Sequence, residues 1–274
     1  MKPLLKSDTI NKDLLKNYRP VSNIAFIGKV LEKVAVHRLT EHLTMNGLHE
    51  EYQSAYKTLH STETAMLRVK HDIVGALDRN HAMMFVMLNI SAAFDTIDHA
   101  HLFKLLQDEY GVRGTALAWF RTYMEDRTYR VQIDSTTSEH IPLQCGVPQG
   151  SVLGPVIFTL YTTTMQRIFR RHGVHYHKYA DDIQLYASYN PAVPGDQAET
   201  VRQLTDCIRE VRRWMTLRML KLNDDKTEMI IFISKHHLKL YGVCSMNIGA
   251  DIISPVDCAR NLQTIIKQKP PKVL

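Results

Sequence analysis

The chain has 274 residues, enough for one large domain or two modest ones with a proper core. A hydrophobic share of 45% and a charged share of 23% exclude a largely disordered body, and a net charge of +6 suits a polyanionic partner without requiring one. Cys145, Cys207, Cys244 and Cys258 form no CxxC pair, no apolar run is long enough for a bilayer, and residues 1–20 lack the long apolar stretch of a signal peptide. The expectation is an intracellular protein of the nucleus or cytoplasm, with neither zinc ribbon nor disulfide framework and no membrane partner.

Residues 1–18 read as polar and extended or loosely ordered, and Pro20 biases Arg19 toward extended geometry. Leu31, Val34, Ala35, Leu39 and Leu43 recur near helical spacing and predict an amphipathic helix over residues 28–43. A second helix follows His60, with Ser61 or Thr62 as its cap. Residues 83–90, MMFVMLNI, form a continuous apolar strand of the kind covered on both faces. A helical pattern resumes through Ala92, Phe94, Ile97, Leu102, Leu105 and Leu106. A short helix over 112–124 and a strand over 129–133 come next.

In QCGVPQGSVLGP, residues 144–155, two glycines and a proline before Ser151 let backbone approach a ligand closely, and Ser151 caps a long helix over 152–171. HYHKYADDIQLYAS then reads as two short strands with Asp181 and Asp182 at the turn. The strongest helical pattern spans 198–220, with Val201, Leu204, Ile208, Val211 and Met215 three and four apart. Asn223 to Lys226 turns the chain into the strand EMIIFIS, and beyond Lys235 the pattern weakens.

Adjacent carboxylates on a tight turn repel unless a positive group lies before them, and hard divalent cations take oxygen ligands. A hairpin carrying Asp181 and Asp182 beside a strand ending in a third polar group suits two-metal phosphoryl or nucleotidyl transfer. The bland alternative is an acidic hairpin tip facing water.

The blocks NYRPVSNIAFIGKVLEKV, HSTETAMLRV, LNISAAFDTIDH, GVPQGSVLGP, YADD and LKLNDDKTE occur in this order. Together they resemble the successive blocks of the reverse transcriptase of non-LTR (LINE-type, jockey-like) retrotransposons, from about Pro3 to Leu262. The resemblance implies an α/β (α+β) right-handed polymerase with an antiparallel palm sheet. Fingers would cover 1–82, palm 83–235 with a fingers insertion around 104–140, and a truncated thumb 236–274. It implies RNA-directed DNA polymerase activity with two Mg²⁺ ions (or Mn²⁺), an RNA template, a DNA primer and deoxynucleoside triphosphates.

Carried over by position, Asp181 and Asp182 match the palm aspartates that bind metal, and Lys226 a lysine that protonates pyrophosphate. Phe94 matches the steric gate against a ribose 2′-OH, where the bland reading is a core residue of its helix. Gln149, Gly150, Ile90, Arg19 and, less closely, Lys57 match nucleotide-binding positions; the alternative for the basic residues is a solvated surface charge.

Two departures stand out. Asn89 occupies the place of the first metal-binding aspartate, and an amide oxygen brings no negative charge to a cation. Asp95, expected on a helix and pointing elsewhere, is no substitute. In CARNLQTII, which resembles the primer-gripping block, Gln263 stands where the family has a glycine. The expectation is a fragment with the polymerase fold and impaired chemistry; a non-catalytic nucleic-acid-binding remnant and a decayed reading frame are the alternatives. A metal-dependent nuclease fits less well, because His172, His175 and His177 match neither HExxH nor zinc-finger spacing.

Overall fold

A computed structural model of the chain describes residues 1–7, 10–91, 93–241, 244–248, 251–262 and 264–267. Ala92, Gln263 and the terminal QKPPKVL lie outside the described residues.

In chain order, β1 (Lys2–Leu5) pairs antiparallel with β2 (Tyr18–Val21), a hairpin where the sequence predicts extended or loosely ordered chain. Helix α1 (Phe26–Met45) follows, then α2 (Thr62–Asp78). Ser61 caps α2 in a reciprocal box: its hydroxyl accepts from the Thr64 N–H, and the Thr64 hydroxyl accepts from the Ser61 N–H. Strand β3 (Ala82–Ser91) precedes α3 (His99–Asp108) and α4 (Gly114–Met124). Four two-residue strands come next: β4 (Thr128–Tyr129), β5 (Gln132–Ile133), β6 (Thr136–Thr137) and β7 (Ile141–Pro142). The single strand expected over 129–133 is thus split, because β4 pairs with β7 and β5 with β6.

Helices α5 (Gly154–Thr162) and α6 (Gln166–Arg171) replace the one long helix expected over 152–171, with a 3₁₀ turn at Thr163–Met165 between them. Hairpin β8 (His175–Tyr179) and β9 (Asp182–Tyr189) leads to α7 (Asp196–Thr216), which starts two residues earlier and ends four earlier than its pattern. Then come β10 (Lys221–Leu222), β11 (Glu228–Phe232), α8 (Lys235–Tyr241) and two hairpins, β12 (Met246–Ile248) with β13 (Asp251–Ile253) and β14 (Cys258–Asn261) with β15 (Thr264–Lys267).

The chain divides into two compact units, Met1–His49 with Ala92–Tyr161, and Glu50–Ser91 with Thr162–Leu274. The second holds a five-stranded antiparallel sheet: β9 lies between β8 and β3, while β10 and β11 pair with the other edge of β3. Met83, Phe85 and Met87 on one face join Val69, Ile73 and Ala76 of α2 with Tyr186, Ile230 and Phe232 in one core cluster. Met84, Val86 and Leu88 on the other face are equally buried, so the continuous apolar run is a strand covered on both sides. Helix α7 buries Leu204, Ile208, Val211 and Met215 and packs against β9.

In the first unit the α1 stripe departs from its pattern. Leu31 and Val34 are exposed, whereas Glu32 is buried. Its carboxylate accepts from the Tyr123 hydroxyl at 2.7 Å and the Val152 N–H at 2.6 Å, which is how a buried charge is tolerated.

Candidate nucleotidyl-transfer site

Antiparallel pairing of β3 with β9 sets Asn89 directly opposite Asp182, and Tyr179 opposite Asp182 closes the hairpin. The tip is Ala180-Asp181. Ala180 is left-handed, with φ of 57°, a conformation that costs a residue with a Cβ on the order of 1–2 kcal/mol. The Ile90 N–H donates to the Asp181 carbonyl at 3.3 Å, tying the tip to the end of β3. The two strand elements expected to present polar groups therefore meet.

The Asn89 amide nitrogen donates to Asp182 Oδ1 at 2.9 Å and to Asp181 Oδ2 at 3.4 Å. All three side chains are half-buried. Burial pushes the Asp182 carboxyl above its ordinary range and the Asp181 charge adds to this; the Asn89 hydrogen bond and the Lys226 ammonium oppose it. Lys226 thus acts electrostatically on Asp182. It sits in the turn Asp224–Lys226, which is anchored because the Asn223 N–H donates to the Asn89 carbonyl at 2.8 Å.

Asp181 and Asp182 are hard-oxygen donors of the type a divalent cation takes, and they fit that role. Asn89 does not fit as a third ligand: its nitrogen, a donor only, faces both carboxylates. Among the described residues no group of three or more His, Cys, Asp and Glu is placed to hold a metal ion.

The remaining predicted residues fall in both units. Lys57 belongs to the second, half-buried, directly after Tyr56. Burial and the negative charge of Asp181 raise the Tyr56 phenol above its ordinary value. Phe94, Gln149, Gly150 and Arg19 belong to the first. There the Phe94 carbonyl accepts from the Val147 N–H and the Gln149 carbonyl from the Ser22 N–H, both at 2.7 Å. The 146–150 loop so links the Phe94 turn to the end of β2, on which Arg19 is exposed. The glycines serve this chain-to-chain approach: a Cβ on Gly146, at φ of 82°, would meet the Asp95 carbonyl oxygen at 2.7 Å. A cleft of about 1080 Å³ lies alongside, lined among others by Ser22, Asp95, Arg127, His140 and Gln149.

Phe94 and Asp95 do not lie on a helix, contrary to the sequence pattern. Residues 93–95 form a turn, and α3 starts only after Asp98, whose carboxylate accepts from the His101 N–H at 2.6 Å. The Phe94 ring is half-buried, 5.3 Å from that of Phe158. The turn is held from outside by the Gly146 and Val147 N–H groups, which donate to Ile97 and Phe94.

Sequence reasoning missed the support beneath the hairpin. Lys178, on the buried face of β8, is fully enclosed, and its ammonium donates to Glu50 Oε2 at 2.9 Å and to the carbonyl and hydroxyl of Thr162, each at 3.2 Å. Alternation with Val174 and Tyr176, both buried, was the available signal. On the same strand His177 Nε2 lies 3.1 Å from the Ser54 hydroxyl.

Burial, helped by the Arg68 charge, lowers His177 from the usual 6.5 to about 4. A depressed imidazole stabilises the fold above pH 6.5, and that share is lost as pH falls toward 4. At about 1.4 kcal/mol per unit the loss totals roughly 3 kcal/mol. Urea midpoints at pH 7 and pH 4.5 check it. His177→Gln is expected to lose about 2 kcal/mol less over that interval than the unsubstituted chain, and equal losses would refute the assignment.

Among the described residues no helix is long and apolar enough to cross a membrane. The family model "Reverse transcriptase (RNA-dependent DNA polymerase)" matches residues 6–272. A similar curated protein is the probable RNA-directed DNA polymerase from transposon BS of Drosophila melanogaster, 28% identical over 222 residues, which are 77% of this chain and 23% of that protein. The RNA-directed DNA polymerase from mobile element jockey of the same organism is 27% identical over 149 residues, 54% of this chain and 16% of that one. The chain therefore spans less than a quarter of either relative. Apo telomerase from Candida tropicalis, truncated from its C-terminal domain, shares the fold at a TM-score of 0.58 and 15% identity, over 86% of this chain and 45% of that one. The matched model and the paired β3 and YADD elements lead to one conclusion: the chain belongs to the reverse transcriptase (RNA-dependent DNA polymerase) family.

Proposed function

We propose that this chain is the polymerase region of a non-LTR retrotransposon reverse transcriptase, built to extend a DNA primer on an RNA template, with its chemistry impaired by Asn89. The observation that carries the reading is the cross-strand pairing of Asn89 with Asp182, beside Asp181 at the hairpin tip. In this reading residues 1–82 serve as fingers, 83–235 as palm with a fingers insertion around 104–140, and 236–274 as the start of a thumb.

Asp181 and Asp182 would hold a divalent cation, magnesium or manganese, and a cation there supplies neutralisation of the charge that develops on phosphate oxygens. Asn89 adds no negative charge to that site. Lys226, whose charge is felt at Asp182, is assigned to deliver a proton to the pyrophosphate leaving group. Arg19, Lys57, Ile90, Gln149 and Gly150 are assigned to the deoxynucleoside triphosphate, with Phe94 excluding a ribose 2′-OH. The net charge of +6 favours a phosphate backbone as partner.

The Asn89 donation to both carboxylates also favours a second reading, a nucleic-acid-binding protein without turnover. Primer extension in Mg²⁺ or Mn²⁺, with primer–template binding measured across a salt series, separates the two. The proposal expects slow extension that disappears in Asp181→Asn/Asp182→Asn, with binding retained. Binding without incorporation in the unsubstituted chain gives the second reading. Extension that survives loss of both carboxylates contradicts the site.

A further inference from the structure

The strained tip of the YADD hairpin needs a fixed partner, and the segment before α2 provides one. Residues Tyr52 to Ser54 run parallel to the free edge of β8. The Lys178 N–H donates to the Tyr52 carbonyl at 2.8 Å, the Ser54 N–H donates to the Lys178 carbonyl at 3.0 Å, and Gln53 forms a parallel bridge with Lys178. Gln53, 5% exposed, sits between these two bonds. Its side-chain oxygen accepts from two backbone N–H groups, Ala55 of its own segment at 2.9 Å and Ala180 of the hairpin tip at 3.2 Å. Two donors converging on one atom fix the amide orientation, because the flipped amide would set N–H against N–H. The opposite atom, Nε2, is buried without a partner. A buried amide that leaves its own donor unsatisfied in order to accept twice is unusual, since buried polar groups are as a rule paired.

We infer that Gln53 is a positioning residue for the carboxylate hairpin: its oxygen holds the Ala180 N–H, and so fixes the left-handed turn that aims Asp181 and Asp182. A glutamine placed only to satisfy its own loop would need the Ala55 bond alone. The second bond reaches 127 residues along the chain, to the one strained residue between Tyr179 and Asp182. The segment is itself pinned at Glu50 by Lys178 and at Ser54 by His177, so Gln53 reaches the turn from a fixed base. Among the described residues no other group accepts from the Ala180 N–H.

Backbone amide exchange in the full chain tests this without reference to activity. Gln53→Met keeps length and volume but removes the acceptor, and Gln53→Glu keeps an oxygen in place. The Ala180 amide is expected to exchange about tenfold faster in Gln53→Met, the scale of one net hydrogen bond, while Ile183 to Ala187 in β9 keep their rates. In Gln53→Glu the Ala180 rate should return close to that of the unsubstituted chain. An unchanged Ala180 rate in Gln53→Met overturns the inference, and so does uniform acceleration along β8 and β9, which would mean general loss of stability.

The consequence for cation binding rests on the function proposed above and is read separately, by Mn²⁺ titration of the unsubstituted chain and Gln53→Met. Several-fold weaker Mn²⁺ binding in the variant is expected. Failure of the unsubstituted chain to bind Mn²⁺ would count against that function, leaving the Ala180 amide to decide the positioning role.

Discussion

Lys178→Met is expected to cost about 3–5 kcal/mol of folding stability, a large share of the 5–15 kcal/mol that a whole domain commands. Lys178 and Glu50 have side chains 0% and 2% exposed, so neither charge has water to fall back on. The ammonium spends its three N–H groups on Glu50, the Thr162 carbonyl and the Thr162 hydroxyl. Methionine fills nearly the same volume but leaves the Glu50 carboxylate buried and unpaired, and that uncompensated charge is the main cost.

Adding Glu50→Leu should recover more than half of the loss, because a buried pair replaced together is often nearly neutral. Urea midpoints for the two single variants and the double variant check this as a cycle. Additive losses, or a Lys178→Met midpoint equal to that of the unsubstituted chain, would show that the pair contributes nothing to stability. Because Glu50 also anchors the segment bearing Gln53, the same variant should loosen the hairpin tip.

Much of this arrangement is readable from residue types. Strand β3 announces itself by seven consecutive apolar, buried side chains from Ala82 to Leu88 and by the sudden polarity at Asn89, and α7 by its three-and-four spacing. The Ser61 cap is a local hydrogen-bond pattern, and local patterns survive folding. What resists reading depends on contacts distant in sequence. The pattern through Phe94 looks helical because Ala93, Phe94 and Ile97 have helical spacing, yet the N–H groups of Gly146 and Val147 capture the carbonyls of that stretch and hold it as a turn. The long helix expected over 152–171 is interrupted at three consecutive threonines, where Lys178 takes the Thr162 carbonyl and hydroxyl. Glu32 looks like a solvated charge until Tyr123 and Val152 are brought to it. Gln53 lies in a segment with no periodicity, so only the fold reveals its reach to Ala180.

In the proposed function the chemistry turns on Asn89. Replacing it with aspartate would place a third carboxylate where an amide nitrogen now donates to two. Asp182 already sits above its ordinary range, chiefly through burial, so without a cation Asn89→Asp should be less stable than the unsubstituted chain at neutral pH. Added Mg²⁺ should raise its melting temperature more, since a ligand that binds only the folded state stabilises it by mass action. The kinetic consequence is larger. One well-placed electrostatic group is worth on the order of 10²–10³ in rate, and under the proposed function a third carboxylate beside Asp181 and Asp182 should be worth at least that. The most direct test is single-turnover extension of a DNA primer on an RNA template in Mg²⁺, comparing the unsubstituted chain with Asn89→Asp. The account predicts that Asn89→Asp is faster by about 100-fold or more; equal and robust rates in the two proteins would contradict it.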